Sequence, residues 1–258
     1  MSLDQRRQLL AEIGIDRQIL SLSSLWNIDN LPAQEALPLV RAFNDAVAHA
    51  SLSSDGVFGG YAALPLNDLA MAADELERCG RLGLEGVIMP AAVFSSRTAA
   101  ECFAALLRIA NDLDGRVFVH PGTSSPAEPE PAQRPDNAWL RHIVLSAQQQ
   151  LSEAMMTLCA TSLLNDYPRL TVQVANLGGA MPFLLERLQA VRRDDPDNGE
   201  EHLWTTKRIA VDSASFGPEA IALARRVMGT QNVVLGTDMP VFAAGQALAA
   251  WRAIACNE

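Results

Sequence analysis

Four polar residues directly follow short apolar runs of the kind that form buried strands, and they are the candidates for chemistry. His120 ends one such run before a Pro-Gly pair, and Asp238 follows another run shortly before a proline. Asn176 and Asp212 end two further runs. In a barrel of parallel strands the reactive groups lie at the carboxyl ends of the strands. We therefore expect these side chains to share one face of the protein.

His120 and Asp238 are also a pair of residue types that can hold a metal ion. A histidine and a carboxylate from two strand ends are ligands that a barrel uses for zinc and similar divalent cations. Each also has an ordinary structural role, the histidine as a hydrogen-bonded side chain and the aspartate as a turn cap. A catalytic zinc site normally has three protein ligands and a water molecule, so these two residues alone leave the site incomplete.

Seven short apolar segments predict the strands that position these residues. They alternate with amphipathic stretches, which is typical of βα units around a parallel sheet. The predicted strands are Gln18 to Ser23, Val57 to Leu64, Gly86 to Met89, Arg116 to His120, Leu170 to Ala175, Arg208 to Asp212 and Asn232 to Gly236. The predicted helices are Asp4 to Ile13, Pro32 to His49, Leu69 to Leu82, Arg97 to Asp112, Trp139 to Leu164, Met181 to Arg192, Pro218 to Met228 and Phe242 to Ala255.

This order of elements predicts a (β/α)8 TIM-type barrel in which the first strand is missing or distorted. Seven strands are one short of the eight that close such a barrel, and the first predicted element is a helix that ends at Gly14. We predict a single domain over residues 1–258. An open doubly wound sheet is the alternative, but no Gly-x-Gly-x-x-Gly follows any predicted strand. A gap in the barrel would leave two strand edges that proteins normally cover.

Composition excludes several classes of partner. Among 258 residues, 20 are basic and 30 acidic, which gives a net charge of −10, and no basic cluster is interleaved with aromatic residues. Nucleic acid is therefore not an expected partner. No apolar run reaches the roughly 18 to 20 residues of a membrane helix, and the N-terminus lacks the apolar core of a signal peptide. We predict a cytoplasmic protein that does not bind membranes.

Several motifs, in order along the chain, resemble one enzyme family. They are Ala62 to Pro90 with its Ala-Leu-Pro-Leu start, Phe118-Val119-His120-Pro121, Asn176-Leu177-Gly178-Gly179 with a following Pro-Phe, and Gly236-Thr237-Asp238-Met239-Pro240. The chain resembles, over nearly its whole length, the amidohydrolase-related family that contains aminocarboxymuconate semialdehyde decarboxylase and γ-resorcylate decarboxylase.

The resemblance implies a function and a set of site residues. It implies a metal-dependent decarboxylase or hydrolase acting on a small aromatic or unsaturated carboxylic acid, and it makes a homodimer plausible. His120 and Asp238 would be metal ligands, with zinc as the first choice of metal and manganese as the alternative. Asn176 would occupy the position of a proton-handling histidine, and Trp26 would contact the substrate.

The departures from the family pattern support a second hypothesis. The family's His-x-His or Glu-x-His on the first strand has no counterpart in this sequence. Asn176 replaces the histidine of His-x-Gly-Gly, and an amide cannot titrate near neutral pH. The alternative is therefore a non-catalytic barrel of the same fold that acts as a binding or regulatory subunit.

Overall fold

Seven parallel strands form one sheet, in which the strands lie side by side in chain order. The computed structural model describes residues 2–122, 136–191, 208–242 and 244–255. The strands are β1 (Gln18–Leu20), β2 (Phe58–Ala62), β3 (Gly86–Pro90), β4 (Arg116–His120), β5 (Thr171–Val174), β6 (Ile209–Asp212) and β7 (Val233–Val234). All seven predicted strands are confirmed. The consecutive order is that of a barrel wall, so the doubly wound alternative is wrong.

Helices follow the strands and cover the outer face of the sheet. They are α1 (Leu3–Ile13), α2 (Ala33–Leu52), α3 (Leu69–Arg81), α4 (Arg97–Glu101), α5 (Ala104–Asp112), α6 (Ala138–Leu140), α7 (Ala147–Ala160), α8 (Met181–Val191), α9 (Pro218–Met228) and α10 (Ala244–Ala255). None of these described helices is both long enough and apolar enough to cross a membrane.

Two predicted helices are interrupted. The segment expected to run from Arg97 to Asp112 divides into α4 and α5 at Cys102 and Phe103. The segment expected from Trp139 to Leu164 contains a π-helical stretch between α6 and α7, and it ends at Ala160. Periodicity indicates that a segment is helical, but these local changes in helix geometry leave no clear signal in it.

The main core lies between the sheet and its covering helices. On β3, β4 and β5 the outward side chains are fully buried valines and a methionine, which pack with leucines of α3, α5 and α7. Burying one such side chain contributes roughly 1.5–3 kcal/mol to stability. Because side chains alternate along a strand, the remaining residues of β4, namely Arg116, Phe118 and His120, face the barrel interior.

The sheet has two edges, β1 and β7, and no strand lies between them in the part of the chain that the structure describes. Helix α1 lies across this gap. The Arg6 guanidinium donates to the Gln18 side chain of β1 at 2.7 Å and to the Met239 carbonyl beyond β7 at 3.3 Å. Arg252 of α10 donates to the Ile13 carbonyl at 2.8 Å. The fold is thus a TIM-type barrel that is incomplete at one position, as predicted.

Candidate active site

A cavity of about 600 Å³ occupies the barrel interior, and its wall extends from the first residues of the strands to the residues that follow them. Its wall includes all four polar residues that the sequence singled out, namely His120, Asn176, Asp212 and Asp238. Trp26, which follows β1, also lines the cavity and is 71% exposed. The volume lies within the range of pockets that bind small molecules, roughly 300–1,000 Å³.

His120 is held as a neutral imidazole with one nitrogen left available. Its Nδ1 lies 3.1 Å from the Pro121 carbonyl oxygen, so Nδ1–H donates there and Nε2 keeps its lone pair. Burial lowers the pKa of His120, against a smaller opposing effect of that hydrogen bond. A carbonyl partner of this kind orients many metal-binding histidines.

Asp238 lies four residues beyond the end of β7, in a left-handed backbone conformation with φ of 49°. Its carbonyl oxygen accepts hydrogen bonds from Val241 N at 2.9 Å and Phe242 N at 3.2 Å, which fix the turn. Burial, followed by the negative charge of Asp212, raises the pKa of Asp238 to about 6. Two carboxyl groups are therefore close enough to interact at this end of the cavity.

Asp212 organises the backbone around the site. It is almost completely buried, and its Oδ1 accepts from Asn176 N and Ala214 N at 3.1 Å each. Its Oδ2 accepts from Gln173 Nε2 at 3.1 Å. Burial raises the pKa of Asp212, and these three hydrogen bonds oppose the increase. Because both of its oxygens accept these hydrogen bonds, Asp212 positions the Gln173 side chain and the backbone of Asn176 and Ala214.

Asn176 is fixed by the same cluster. Its backbone is left-handed, with φ of 51°, and its Nδ2 donates to Ala214 O and Ser215 Oγ, both at 3.0 Å. Both amide hydrogens are thus used. The amide oxygen can still accept a hydrogen bond from a ligand, but the group cannot exchange a proton near neutral pH.

The donor chemistry of the site suits a divalent cation, although the set of ligands is short. His120 offers a neutral nitrogen, and the raised pKa of Asp238 beside Asp212 marks a place where a cation would be stabilised. The described residues contain no group of three His, Cys, Asp or Glu side chains that could hold a metal ion. His120 and Asp238 therefore fit as two ligands of a metal and not as a complete set.

Sequence reasoning missed three arginines that line the same cavity, Arg6, Arg17 and Arg116. Arg17 forms a close ion pair with Glu85. The alternation along β4 could have placed Arg116 on the inner face with His120. No sequence pattern could have placed Arg6, because its contact with Met239 joins residues 233 positions apart.

These features define a class of protein: a parallel βα barrel with a histidine, an asparagine and aspartates around one cavity beside the strand ends. A family model described as amidohydrolase matches residues 21–257, and the chain belongs to this family. The resemblance drawn from the sequence motifs is thereby confirmed.

Several proteins similar to this chain are named as decarboxylases. The γ-resorcylate decarboxylase of Polaromonas sp. is 25% identical, over 92% of this chain and 76% of that protein. The 2-amino-3-carboxymuconate-6-semialdehyde decarboxylase of Dictyostelium discoideum is 26% identical, over 92% of this chain and 66% of that protein. A dihydroxybenzoic acid decarboxylase structure from Polaromonas, with bound manganese and 2-nitroresorcinol, superimposes with a TM-score of 0.80. It is 22% identical and covers 98% of this chain and 80% of its own.

Proposed function

We propose that this protein is a metal-dependent decarboxylase or hydrolase that acts on a small aromatic or unsaturated carboxylic acid. The observation that carries the proposal is the presence of His120, Asn176 and Asp238 on the wall of one cavity of suitable size. The similarity to named decarboxylases favours decarboxylation over hydrolysis.

Each site residue has a role in this proposal. His120 and Asp238 bind the cation, either zinc or manganese, and the manganese in the Polaromonas structure supports the second. A bound divalent cation would polarise the acid and offset its negative charge. Asp238 can in addition accept a proton, while Asn176 orients the substrate through its amide oxygen. Trp26, on the cavity wall, contacts the aromatic ring of the substrate in this proposal.

Removing either proposed ligand should remove both the metal and the activity. We expect His120→Ala and Asp238→Ala each to lower turnover of γ-resorcylate (2,6-dihydroxybenzoate) by on the order of 100-fold or more, since loss even of a group that supports a ligand costs 10- to 100-fold. The measurements are metal content by elemental analysis and loss of substrate absorbance, with zinc or manganese added.

His49→Ala is the matched control, because His49 is an exposed residue of α2, away from the cavity wall. This variant should keep the metal content and the turnover of the unmodified protein. If His120→Ala binds metal as well as His49→Ala does, the ligand assignment is wrong. If the metal-loaded protein binds aromatic acids but turns none over, the catalytic role is wrong.

One observation favours the second candidate, a non-catalytic barrel that acts as a binding or regulatory subunit. The position expected to carry a proton-handling histidine holds Asn176, and its side chain is engaged with Ala214 and Ser215. Such a protein would keep the cavity and its ligand affinity without turnover. Calorimetric binding of 2,6-dihydroxybenzoate, measured beside turnover, distinguishes the two candidates, because it reports binding separately from conversion.

We further propose that the chain is one cytoplasmic domain that forms a homodimer. The start of the α6–α7 segment carries four apolar side chains that are each between 50% and 71% exposed. They are Trp139, Leu140, Val144 and Leu145. Such patches often mark protein–protein interfaces. We expect a molar mass near twice the 27.8 kDa of the chain by light scattering, and a lower mass for Leu145→Glu. A mass of one chain for the unmodified protein would contradict the proposal.

A further inference from the structure

We propose that Arg6 binds a carboxylate of the ligand, so that helix α1 supplies the anion-binding group of the cavity. The inference rests on the proposed function in one respect, because it takes the ligand to be an organic acid. Arg6 would then determine specificity for acids, although it belongs to a helix and does not follow a strand.

The first argument is the location of the guanidinium group. Arg6 lines the cavity and is only partly exposed. Its Nη2 donates to the carbonyl of Met239, the residue that follows Asp238. Its Nε donates to Gln18 on the opposite edge of the gap. These two contacts place a positive charge between the sheet edges, within one residue of the candidate site.

The second argument is that Arg6 has no anionic partner among the residues that the structure describes. Its two recorded acceptors, an amide and a carbonyl oxygen, are both neutral. The ion pairs of the described chain involve other arginines. A guanidinium group has five N–H donors, so several remain for a ligand. A partly buried guanidinium group with such donors left binds a carboxylate by charge-assisted and often bidentate hydrogen bonds.

The other two arginines of the cavity are less suited to this role. Arg17 is paired with Glu85, which compensates its charge. Arg116 is the first residue of β4, whereas His120 is the last, so roughly 13 Å of strand separates the two residues. Of the three arginines, Arg6 is the one that contacts Met239, the residue after the proposed metal ligand Asp238.

Burial lowers the pKa of Arg6, but an arginine side chain stays charged at physiological pH. The protein carries a net charge of −10, so its long-range field does not favour an anion. Arg6 therefore adds a local positive charge inside the cavity, beside that of any bound metal ion, which favours an acid over a neutral molecule of the same shape.

The test compares an acid with its neutral amide. The binding of 2,6-dihydroxybenzoate and of 2,6-dihydroxybenzamide is measured by calorimetry for the unmodified protein and for Arg6→Gln. We expect Arg6→Gln to weaken binding of the acid by about 10- to 100-fold, the size of a hydrogen bond to a charged group, and to leave binding of the amide unchanged. Arg6→Lys, which keeps the charge, should retain part of the preference for the acid.

Arg7→Gln is the matched control, since Arg7 is the next residue of α1 and is exposed. It should bind both compounds as the unmodified protein does. If Arg6→Gln loses acid and amide affinity equally, Arg6 only shapes the cavity and the inference is wrong. If the unmodified protein binds acid and amide alike, the anion-binding site is wrong while the proposed function stands. If it binds neither, the proposed substrate class fails, and this inference fails with it.

Discussion

Replacing Glu75 by alanine should destabilise the protein by about 1–3 kcal/mol, the cost of leaving a buried donor, the Asn44 amide, without its acceptor. Glu75 lies on α3 and is 0% exposed, and its carboxylate accepts from Arg78 at 2.7 and 2.9 Å and from Arg41 at 2.9 Å. Asn44 donates to it at 2.8 Å. The substitution leaves the buried Asn44 amide and two partly exposed arginines without this acceptor. Chemical denaturation measures the change.

The control is Glu77→Ala on the same helix. Glu77 is more than half exposed, and its nearest contact with Arg81 is 3.8 Å. Exposed pairs of this kind contribute little, so we expect a loss of at most about 0.5 kcal/mol. Equal losses for the two variants would contradict a special role for the buried cluster.

Glu75 should also make stability depend on acid pH. Burial alone would raise the pKa of Glu75, but hydrogen bonds from Arg78, Asn44 and Arg41 together lower it to about 2, below its ordinary value of 4.5. A carboxyl group with a lowered pKa stabilises the folded state fully above its unfolded pKa. That contribution is lost as the pH falls from about 4.5 towards 2, and Glu75→Ala should lack this part of the acid dependence.

The Glu75 cluster matters for the site because it fixes the start of the barrel wall. Asn44 of α2 also holds residue Ala63 at the end of β2, through bonds of 2.9 Å to its N–H and 3.0 Å to its carbonyl. One buried carboxylate thus joins α2, α3 and the β2 end. We expect loss of this cluster to loosen the cavity wall at Tyr61, which lines the cavity from β2.

The sequence was sufficient to predict every strand and the shared position of His120, Asn176 and Asp238. Both depend on local patterns: short β-branched runs predict buried strands, and parallel strands bring their carboxyl ends to one face. Asp238 differs in one respect, since the strand before it ends at Val234 and the aspartate lies in a separate turn. Its local conformation depends on the chain around Pro240 and not on the strand pattern.

Contacts between distant parts of the chain could not be predicted in this way. The bond between Arg6 and Met239 and the approach of Asp212 to Asp238 depend on how the barrel curves. The role of Asp212 as a hydrogen-bond acceptor for Asn176 depends on the register of β5 and β6, in which Val174 lies opposite Val211. A single sequence contains neither the curvature nor the register explicitly.

Gly86→Ala should be the most disruptive single methyl addition in the sheet, with an expected loss of about 3 kcal/mol or more. Gly86 begins β3 and lies opposite Arg116 of β4. A Cβ atom at this position would lie 1.9 Å from the Arg116 carbonyl oxygen, which is backbone and cannot rotate away. The two strands would have to separate, and because the same pairing places Pro90 opposite His120, the site should be weakened as well.

Gly245→Ala controls for the general effect of replacing glycine. Gly245 lies in the first turn of α10 and is exposed, and an added Cβ would meet no heavy atom within 4 Å beyond its chain neighbours and its own helix backbone. Since alanine favours a helix over glycine by roughly 0.5–1 kcal/mol, this variant should lose no stability. Thermal unfolding of both variants tests the argument: a folded Gly86→Ala protein as stable as Gly245→Ala would show that β3 and β4 tolerate a wider spacing. In that case the close contact at Gly86 would not be what aligns His120 with the strand end of β3.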